Sequence, residues 1–302
     1  PNVFVTRYLK ETGQVKAEVM AKAENLMITG YQRQLTYRRS DGSFSAFGNN
    51  DKVGSLWLTA FVLKTFAQAK DVIYVDDSVL SSARAWIADK QKPDGSFEAL
   101  GFVHHQELLG GLKGKAALTA YLAVALAEAG DQAASGKAVR YLERELATIN
   151  DTYPLALATY ALELAGSPRA GEAYGRLMAK AQESDEGLHW EAGQGEPVPL
   201  DPGMGGPALP RRLPPGRPNQ SAAIETTGYA MLALLKHGDR PNAARAARWL
   251  VSRRNSYGGF GSTQDTVVGL QALTQFAAGA KSDVDAAVTL RTAGWQKEVR
   301  IS

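Results

Sequence analysis

Asp41-Gly42-Ser43-Phe44 is a turn that precedes the helical stretch Trp57-Leu58-Thr59-Ala60-Phe61-Val62-Leu63, and the sequence repeats this unit. The later copies each join a glycine-aromatic turn to a run of small and apolar residues: Asp94-Gly95-Ser96-Phe97 to Ala117–Leu122, Gly187-Leu188-His189-Trp190 to Glu225–Ala230, and Tyr257-Gly258-Gly259-Phe260 to Gln264–Leu270. Leu157–Leu162 fits as a further helix of this kind without its turn. Such self-similarity indicates a helical array or a closed helical ring.

Five predicted helices, among them those that follow these turns, are apolar on nearly every face, which is typical of buried helices. They are Trp57–Gln68, Lys115–Ala129, Tyr153–Ala165, Ala222–Leu235 and Thr263–Ala278. Amphipathic stretches alternate with them, namely Val79–Gln91, Gly136–Thr148, Arg169–Gln182 and Pro241–Arg254. We therefore predict an all-α fold, an α/α toroid of helical hairpin pairs with an inner and an outer ring. With Val3–Thr12 and Val15–Gln34 the helices number eleven, and the twelfth of a six-pair toroid is either unrecognised or upstream of Pro1.

Two segments depart from the helical pattern. Ala192–Ser221 contains eight of the thirteen prolines, which excludes a helix or a central strand. We expect it to be a mobile surface loop in which Arg211-Arg212 is the most cleavable point. From Asp283 to Ser302 apolar and polar residues alternate, which predicts strands. We assign residues 1–280 to the toroid domain and residues 281–302 to the start of a β domain.

The composition is that of a soluble globular protein, with 44% hydrophobic and 22% charged residues in a chain of 302. The net charge of +3 comes from scattered basic residues, so we expect no nucleic-acid partner. No apolar run is long enough to span a membrane, and no signal peptide opens the chain. The sequons at Asn150 and Asn219 are candidate glycosylation sites and are compatible with secretion.

Three classes of enzyme with helical toroids need residues that this chain lacks or scatters. Prenyltransferases need a zinc site with a cysteine ligand, and the chain has no cysteine. Terpene cyclases need an aspartate-rich motif, whereas Asp76-Asp77 begins an outer helix, where carboxylates are usually caps. Toroidal glycosidases need two carboxylates in one cleft, and the predicted inner helices offer Glu128, Glu163, Glu225 and Asp265. We predict no enzyme, no metal site and no cofactor.

The most unusual loop is Gly101–Leu112, in which His104 and His105 stand beside Glu107, ahead of a double glycine. An imidazole titrates near neutral pH and can act as a general base or a nucleophile. The alternative is a loop with one exposed and one hydrogen-bonded histidine. The other histidines, His189 and His237, are isolated, and no third ligand has the spacing of a metal site.

Several stretches resemble the thioester-containing domain of the α2-macroglobulin and complement superfamily, especially the insect thioester proteins and the lipid-anchored cell-surface branch. These stretches are Gly30–Leu35, Asp41–Phe47, Trp57–Val62, His105–Gly111, Ile224–Tyr229 and Tyr257–Thr266. The resemblance covers residues 1 to about 278. It implies an α/α toroid wired into a β-sandwich domain of CUB type, which suits the strand-like tail.

The reactive bond of that family is a thioester between a cysteine and a glutamine of a Gly-Cys-Gly-Glu-Gln motif. In relatives the motif ends several residues before the proline-asparagine that matches Pro1-Asn2, so we expect it either upstream of this chain or lost from the parent. With the motif, the resemblance implies a secreted or surface-attached glycoprotein, an innate immune effector or a protease-trapping inhibitor. Its partners would be proteases, microbial or cell-surface glycans and proteins, and other domains of the same parent. Without the motif, it implies a recognition or adhesion module.

The resemblance also implies a catalytic role for His105, with Glu107 close beside it. In relatives that acylate hydroxyls, a histidine at this position attacks the thioester first. The acyl-imidazole then passes the acyl group to a hydroxyl, with the released thiolate as base. Relatives with another residue there favour amines. We therefore expect His105, rather than His104, to set the preference for hydroxyl acceptors.

Overall fold

The computed structural model describes residues 1–101, 114–192, 222–256 and 258–279, together with the backbone alone of residues 220–221, 286–292 and 295–301. Within these residues the chain forms eleven α-helices and two antiparallel strand pairs. The helices are α1 (Asn2–Glu11), α2 (Ala17–Leu35), α3 (Leu56–Ala69), α4 (Asp77–Asp89), α5 (Lys115–Glu128), α6 (Gln132–Glu145), α7 (Thr152–Leu164), α8 (Ala170–Met178), α9 (Gln220–His237), α10 (Arg240–Ser252) and α11 (Thr263–Ala278). Short 3₁₀ turns cover Gly48–Asn50 and Leu146–Thr148.

The odd-numbered helices form an inner ring and the even-numbered helices an outer one. In the inner ring α3, α5, α7, α9, α11 and α1 pack side by side in this order. Each outer helix packs on an inner helix next to it in the chain. Across a groove of about 230 Å³, Val3 of α1 faces Phe61 and Val62 of α3. The α/α toroid is confirmed, and α1 supplies a sixth inner helix among the described residues.

Burial follows the predicted division between the two rings. Trp57, Leu118, Leu157 and Leu232, one from each of four predicted inner helices, expose at most 8% of their surface. In contrast, the outer helix α2 buries only Ala23 and Met27 among its nineteen residues. A helix that is apolar on all faces therefore lies where neighbours cover it on all sides.

The repeated unit has a structural reason, which is a threonine hydroxyl. In each copy the backbone N–H of the turn aromatic donates to a threonine side chain near the start of the next inner helix. The pairs are Phe44 with Thr59 at 2.9 Å, Phe97 with Thr119 at 3.0 Å, Trp190 with Thr227 at 3.0 Å, and Phe260 with Thr266 at 3.0 Å. All four aromatic side chains are buried. The bond joins each turn to the N-terminal half of an inner helix, which explains why the two recur together.

The Asp-Gly-Ser part of the turn is also explained by hydrogen bonds and backbone angles. Asp94 Oδ1 accepts bonds from the Ser96 backbone N–H at 2.9 Å and from its hydroxyl at 2.6 Å. These bonds lower the pKa of Asp94 to about 2. Gly95 has a φ of +88°, and a Cβ built there would lie 2.2 Å from the backbone oxygen of Lys137. Only glycine fits this position.

Three outer helices begin earlier than the hydrophobic pattern indicates, because an aspartate caps each of them. Asp76 accepts from the Ser78 N–H at 2.8 Å, so α4 starts at Asp77 rather than at Val79. In the same way Asp131 and Asp239 cap α6 and α10. A carboxylate at the N-cap bonds otherwise unpaired N–H groups and interacts favourably with the helix dipole.

The predicted helix Arg169–Gln182 is too long at its C-terminal end. The helix α8 ends at Met178, and Gln182–Ser184 (β1) pairs with Gly187–His189 (β2) in a small antiparallel hairpin. Just beyond this hairpin, the indole of Trp190 is fully buried and donates to the Leu177 carbonyl at 2.8 Å. This bond brings the chain back to the end of α8, which accounts for the reversal.

The strand-like tail forms the second pair, Ala286–Thr292 (β3) and Trp295–Ile301 (β4), which are antiparallel with Val288 opposite Val299. The predicted strands are confirmed, and their assignment to a β-sandwich domain of CUB type stays a prediction. The predicted loop Ala192–Ser221 lies outside the described residues except at its ends, and Arg211-Arg212 lies outside them altogether.

Candidate functional site

The histidine segment lies outside the described residues, including His105 and Glu107, but the residues on either side of it are placed. Leu100 accepts a hydrogen bond from the Leu56 N–H at 2.9 Å, at the first residue of α3. A Cβ built on Gly101 would lie 2.3 Å from the Gly54 oxygen, so the chain passes tightly against the start of α3. On the other side, Gly114 is the N-cap of α5. The segment therefore leaves and rejoins the described chain at the N-terminal ends of two inner helices.

The inner helices α3, α5, α7, α9 and α11 run in the same direction, as contacts at their two ends show. At one end, Tyr153 near the start of α7 meets Glu225 in the first half of α9. At the other end, Gln68 near the end of α3 bonds to Glu128, the last residue of α5. The toroid therefore has an N-terminal face and a C-terminal face, and the histidine segment is attached at the N-terminal face.

A polar cluster lies inside the ring towards that face. Tyr153 Oη donates to Glu225 Oε1 at 2.6 Å, and Gln264 Nε2 lies 3.4 Å from the same oxygen. The rings of Tyr153 and Tyr229 meet edge to face at 6.1 Å, and Lys64 Nζ lies 5.7 Å from the centre of the Tyr229 ring. We call this group the N-terminal cluster, and its members are Lys64, Tyr121, Tyr153, Glu225, Tyr229 and Gln264.

Burial governs the protonation of the N-terminal cluster. Glu225 is 1% exposed, and burial raises the pKa of its carboxyl to about 8. The hydrogen bond from Tyr153 and the charge of Lys64 lower that pKa but do not cancel the effect. Burial also raises the pKa of the Tyr121 and Tyr229 hydroxyls well above the usual range. At neutral pH the cluster therefore holds a largely protonated carboxyl among neutral phenols.

A second polar group, the C-terminal cluster, surrounds Glu128 and consists of Gln68, Glu128, Tyr160 and Gln271. Gln271 Nε2 and Tyr160 Oη lie 3.3 and 3.4 Å from Glu128 Oε1, and Gln68 Nε2 bonds to the other carboxylate oxygen. Glu128 also lines an open groove at the ends of α3 and α5. Three amide or phenol donors therefore hold this acid in place at the C-terminal face.

The two other candidate carboxylates, Glu163 and Asp265, lie apart from each other. Glu163 pairs with His237 Nδ1 at 2.7 Å, at the C-terminal ends of α7 and α9. Asp265 forms a capping box with Ser262 at the start of α11. Glu225 and Asp265 are close enough to influence each other electrostatically, but each exposes only 1% of its surface. This pair therefore lies in the core of the toroid.

Other sequence-predicted positions can be placed as well. Asp76 is a helix cap, as predicted, and Asp77 pairs with Lys70 at 2.6 Å. Among the described residues no group of three histidine, cysteine, aspartate or glutamate side chains is arranged to hold a metal. No described helix is both long and apolar enough to cross a bilayer. Asn150 is exposed in the turn before α7, whereas Asn219 lies outside the described residues.

Sequence reasoning missed the polar clusters, although a weak signal for them is present. Four inner helices carry polar or amphipathic residues seven positions apart, two helical turns along one face: Trp57 and Lys64, Tyr121 and Glu128, Tyr153 and Tyr160, and Gln264 and Gln271. Residues at this spacing form a narrow polar stripe along each helix. The stripe is hard to recognise in the sequence because most of the other residues in these helices are apolar.

Comparison with known proteins agrees with the fold. Residues 1–276 match the family described as the A-macroglobulin TED domain. Ovostatin of Gallus gallus is 38% identical over 300 residues, which cover 94% of this chain and 19% of ovostatin. The chain thus spans about a fifth of the length of that relative. The family match covers most of the chain, and the chain forms the toroid described above. The chain therefore belongs to the A-macroglobulin TED domain family.

Proposed function

We propose that this chain is the thioester-domain portion of a secreted protein that attaches covalently to hydroxyl groups on its targets. The observation that carries the proposal is the family match over residues 1–276. In the family that the sequence resembles, this domain presents a reactive acyl group to an acceptor. The chain has no cysteine, so a parent protein must supply the thioester cysteine, and the resemblance places the glutamine in the same motif ahead of Pro1.

The proposed chemistry splits acyl transfer into two steps. An imidazole nitrogen of His105 attacks the thioester carbonyl, the carbon–sulfur bond breaks, and the cysteine leaves as a thiolate. A target hydroxyl then attacks the acyl-imidazole, the thiolate takes the hydroxyl proton, and an ester forms as the imidazole leaves. We assign Glu107 to the same site, two residues from His105. The imidazole is needed because a hydroxyl is a weak nucleophile without activation.

The surroundings of the histidine segment support this assignment. Leu100 and Gly114, on either side of the segment, lie at the N-terminal ends of α3 and α5. Pro1, beside which the family's motif is expected, directly precedes α1 and lines the groove between α1 and α3, beside Phe61 and Phe66. The histidine segment and the residue next to the expected motif are thus both joined to inner helices of one ring. Intramolecular acyl transfer requires that the reacting groups be held in fixed positions.

The biological setting is part of the same proposal. The targets are microbial or cell-surface glycans and proteins, or trapped proteases, and the parent is an immune effector or a protease inhibitor outside the cell. The exposed sequon at Asn150 suits a secreted glycoprotein. Residues 281–302 are proposed to open a CUB-type β domain, in keeping with the β3–β4 pair.

Acceptor preference tests the proposal. A full-length polypeptide that carries the Gly-Cys-Gly-Glu-Gln motif ahead of Pro1 is activated with labelled glycerol or labelled methylamine. The His105→Asn variant should lose glycerol incorporation by on the order of 10²-fold and keep methylamine incorporation. His104→Asn is the matched control and should change neither. Unchanged glycerol incorporation in His105→Asn would remove the catalytic role of His105.

A second candidate function is a recognition or adhesion module without covalent chemistry. It is the alternative for a parent protein that lacks the Gly-Cys-Gly-Glu-Gln motif ahead of Pro1. The two candidates differ in one measurement, which is the release of a free thiol when the full-length polypeptide is treated with methylamine. Release of about one thiol per chain supports covalent attachment, whereas no release supports the recognition module.

A further inference from the structure

Two tyrosine hydroxyls of the N-terminal cluster are buried without a protein partner among the described residues. Tyr121 and Tyr229 expose 1% and 0% of their surface, and neither Oη atom has a hydrogen bond there. The second carboxyl oxygen of Glu225, Oε2, is also buried and has no hydrogen bond among the described residues. Buried polar groups are nearly always paired with protein atoms or with ordered water. Three unpaired groups in one cluster therefore point to a ligand between them.

These groups lie close to one another inside the ring. Tyr229 lies one helical turn beyond Glu225 on α9, and its ring contacts that of Tyr153, whose hydroxyl bonds to Glu225 Oε1. Burial, and after it the Glu225 charge, raises the pKa of both Tyr121 and Tyr229, so side chains of α5 and α9 lie near the same carboxyl. On α3, Lys64 is 4% exposed and its Nζ atom lies over the Tyr229 ring.

The chemistry of the cluster narrows the kind of ligand. Among the described residues Lys64 Nζ forms no ion pair with a carboxylate, and its contact is with the face of the Tyr229 ring. A metal ion is disfavoured because no three histidine, cysteine, aspartate or glutamate side chains among the described residues are grouped to hold one. Lys64 only donates, while the tyrosine hydroxyls and a carboxyl group both donate and accept. The ligand must therefore donate and accept hydrogen bonds and carry no charge.

We propose that ordered water molecules bind inside the N-terminal cluster and bridge Glu225 Oε2, the hydroxyls of Tyr121 and Tyr229, and the ammonium group of Lys64. Water meets each requirement, since one molecule makes two to four hydrogen bonds of either kind. The bridged groups come from three inner helices, α3, α5 and α9, so the water joins these helices to one another inside the ring. It does not depend on the proposed acyl transfer, because every member lies in the described core.

Removal of the tyrosine hydroxyls tests the proposal, because the direction in which the melting temperature changes shows whether the hydroxyls bond to water. Tyr121→Phe and Tyr229→Phe keep the ring and remove only the oxygen. If the hydroxyls bond to water, each variant should melt about 1–3 °C lower than the parent chain. If the hydroxyls are dry, their removal relieves an unpaired buried group, and the melting temperature should stay equal or rise. Tyr74→Phe is the control, because Tyr74 is 83% exposed.

A crystal structure of the chain at high resolution gives a second, independent readout. We expect solvent density about 2.6–3.2 Å from both tyrosine hydroxyls and from Glu225 Oε2. The proposal fails if these atoms bond only to protein, for example through a direct Lys64–Glu225 pair, whatever the melting temperatures are. It also fails if the density is present and both phenylalanine variants are as stable as the parent.

Discussion

Replacement of Glu225 by glutamine should remove a large part of the pH dependence of stability. Glutamine has the size of a protonated glutamate, so it can keep the bond from Tyr153 while losing the ability to ionise. The groups that face this carboxyl are Tyr153 on α7, Tyr121 on α5, Tyr229 on its own helix, Lys64 on α3, and Gln264 with Asp265 on α11.

The sign and size follow from the pKa in the two states. In the folded chain the pKa of Glu225 is about 8, against 4.5 when the carboxyl is solvated. Between these values the folded state holds a proton that the unfolded state has released, so stability falls as pH rises. At about 1.4 kcal/mol per pH unit the full effect is about 5 kcal/mol. About 4 kcal/mol of this is expected between pH 5 and pH 9.

The assay is denaturant unfolding of the parent chain and of Glu225→Gln at unit steps from pH 5 to pH 9. We expect the free energy of unfolding to fall more steeply with pH in the parent, so that Glu225→Gln becomes relatively more stable towards pH 9. Glu24→Gln, at an exposed site on α2, is the matched control and should follow the parent. The reasoning is refuted if the difference between parent and Glu225→Gln changes by less than about 1 kcal/mol over this range.

Two further predictions concern the repeated turn. Thr119→Val leaves the buried Phe97 N–H unpaired and should lower the free energy of unfolding by about 1–3 kcal/mol. Thr29→Val, at an exposed site, is the control. An equal loss in both variants would contradict a stabilising role for the hydrogen bond from Phe97 to Thr119. Gly95→Ala should destabilise the chain by more than about 2 kcal/mol, because its φ is +88°. Gly171→Ala in α8, with open space around a built Cβ, should stabilise it by about 0.4–1 kcal/mol, and equal effects at the two glycines would refute the strain argument.

The sequence by itself determined the ring and most of its helices. The Asp-Gly-Ser-Phe turns are local, since Asp94 bonds to Ser96 two residues away and Gly95 supplies the positive φ. The apolar character of the inner helices follows from burial on every side, so it is visible as a continuous run. Helix starts could have been predicted better, because the caps Asp131 and Asp239 are also local signals.

The candidate site was accessible from the sequence only in part. His105 and Glu107 came from a resemblance to a family, since spacing alone leaves an ordinary loop histidine as an alternative. Nothing in the described residues tests their role. The Glu163–His237 pair could not be predicted either, because 74 positions separate its members in the chain.

Only the tertiary structure decided which polar residues of the inner helices meet on the axis. Tyr153 and Glu225 are 72 positions apart and Gln264 is 39 positions beyond Glu225, so no local pattern relates them. A tyrosine in an apolar helix is compatible with a dry core as well as with a polar cluster. The choice depends on which helices the closed ring brings together, because the pKa of a buried carboxyl is set by the groups around it and by the water it has lost.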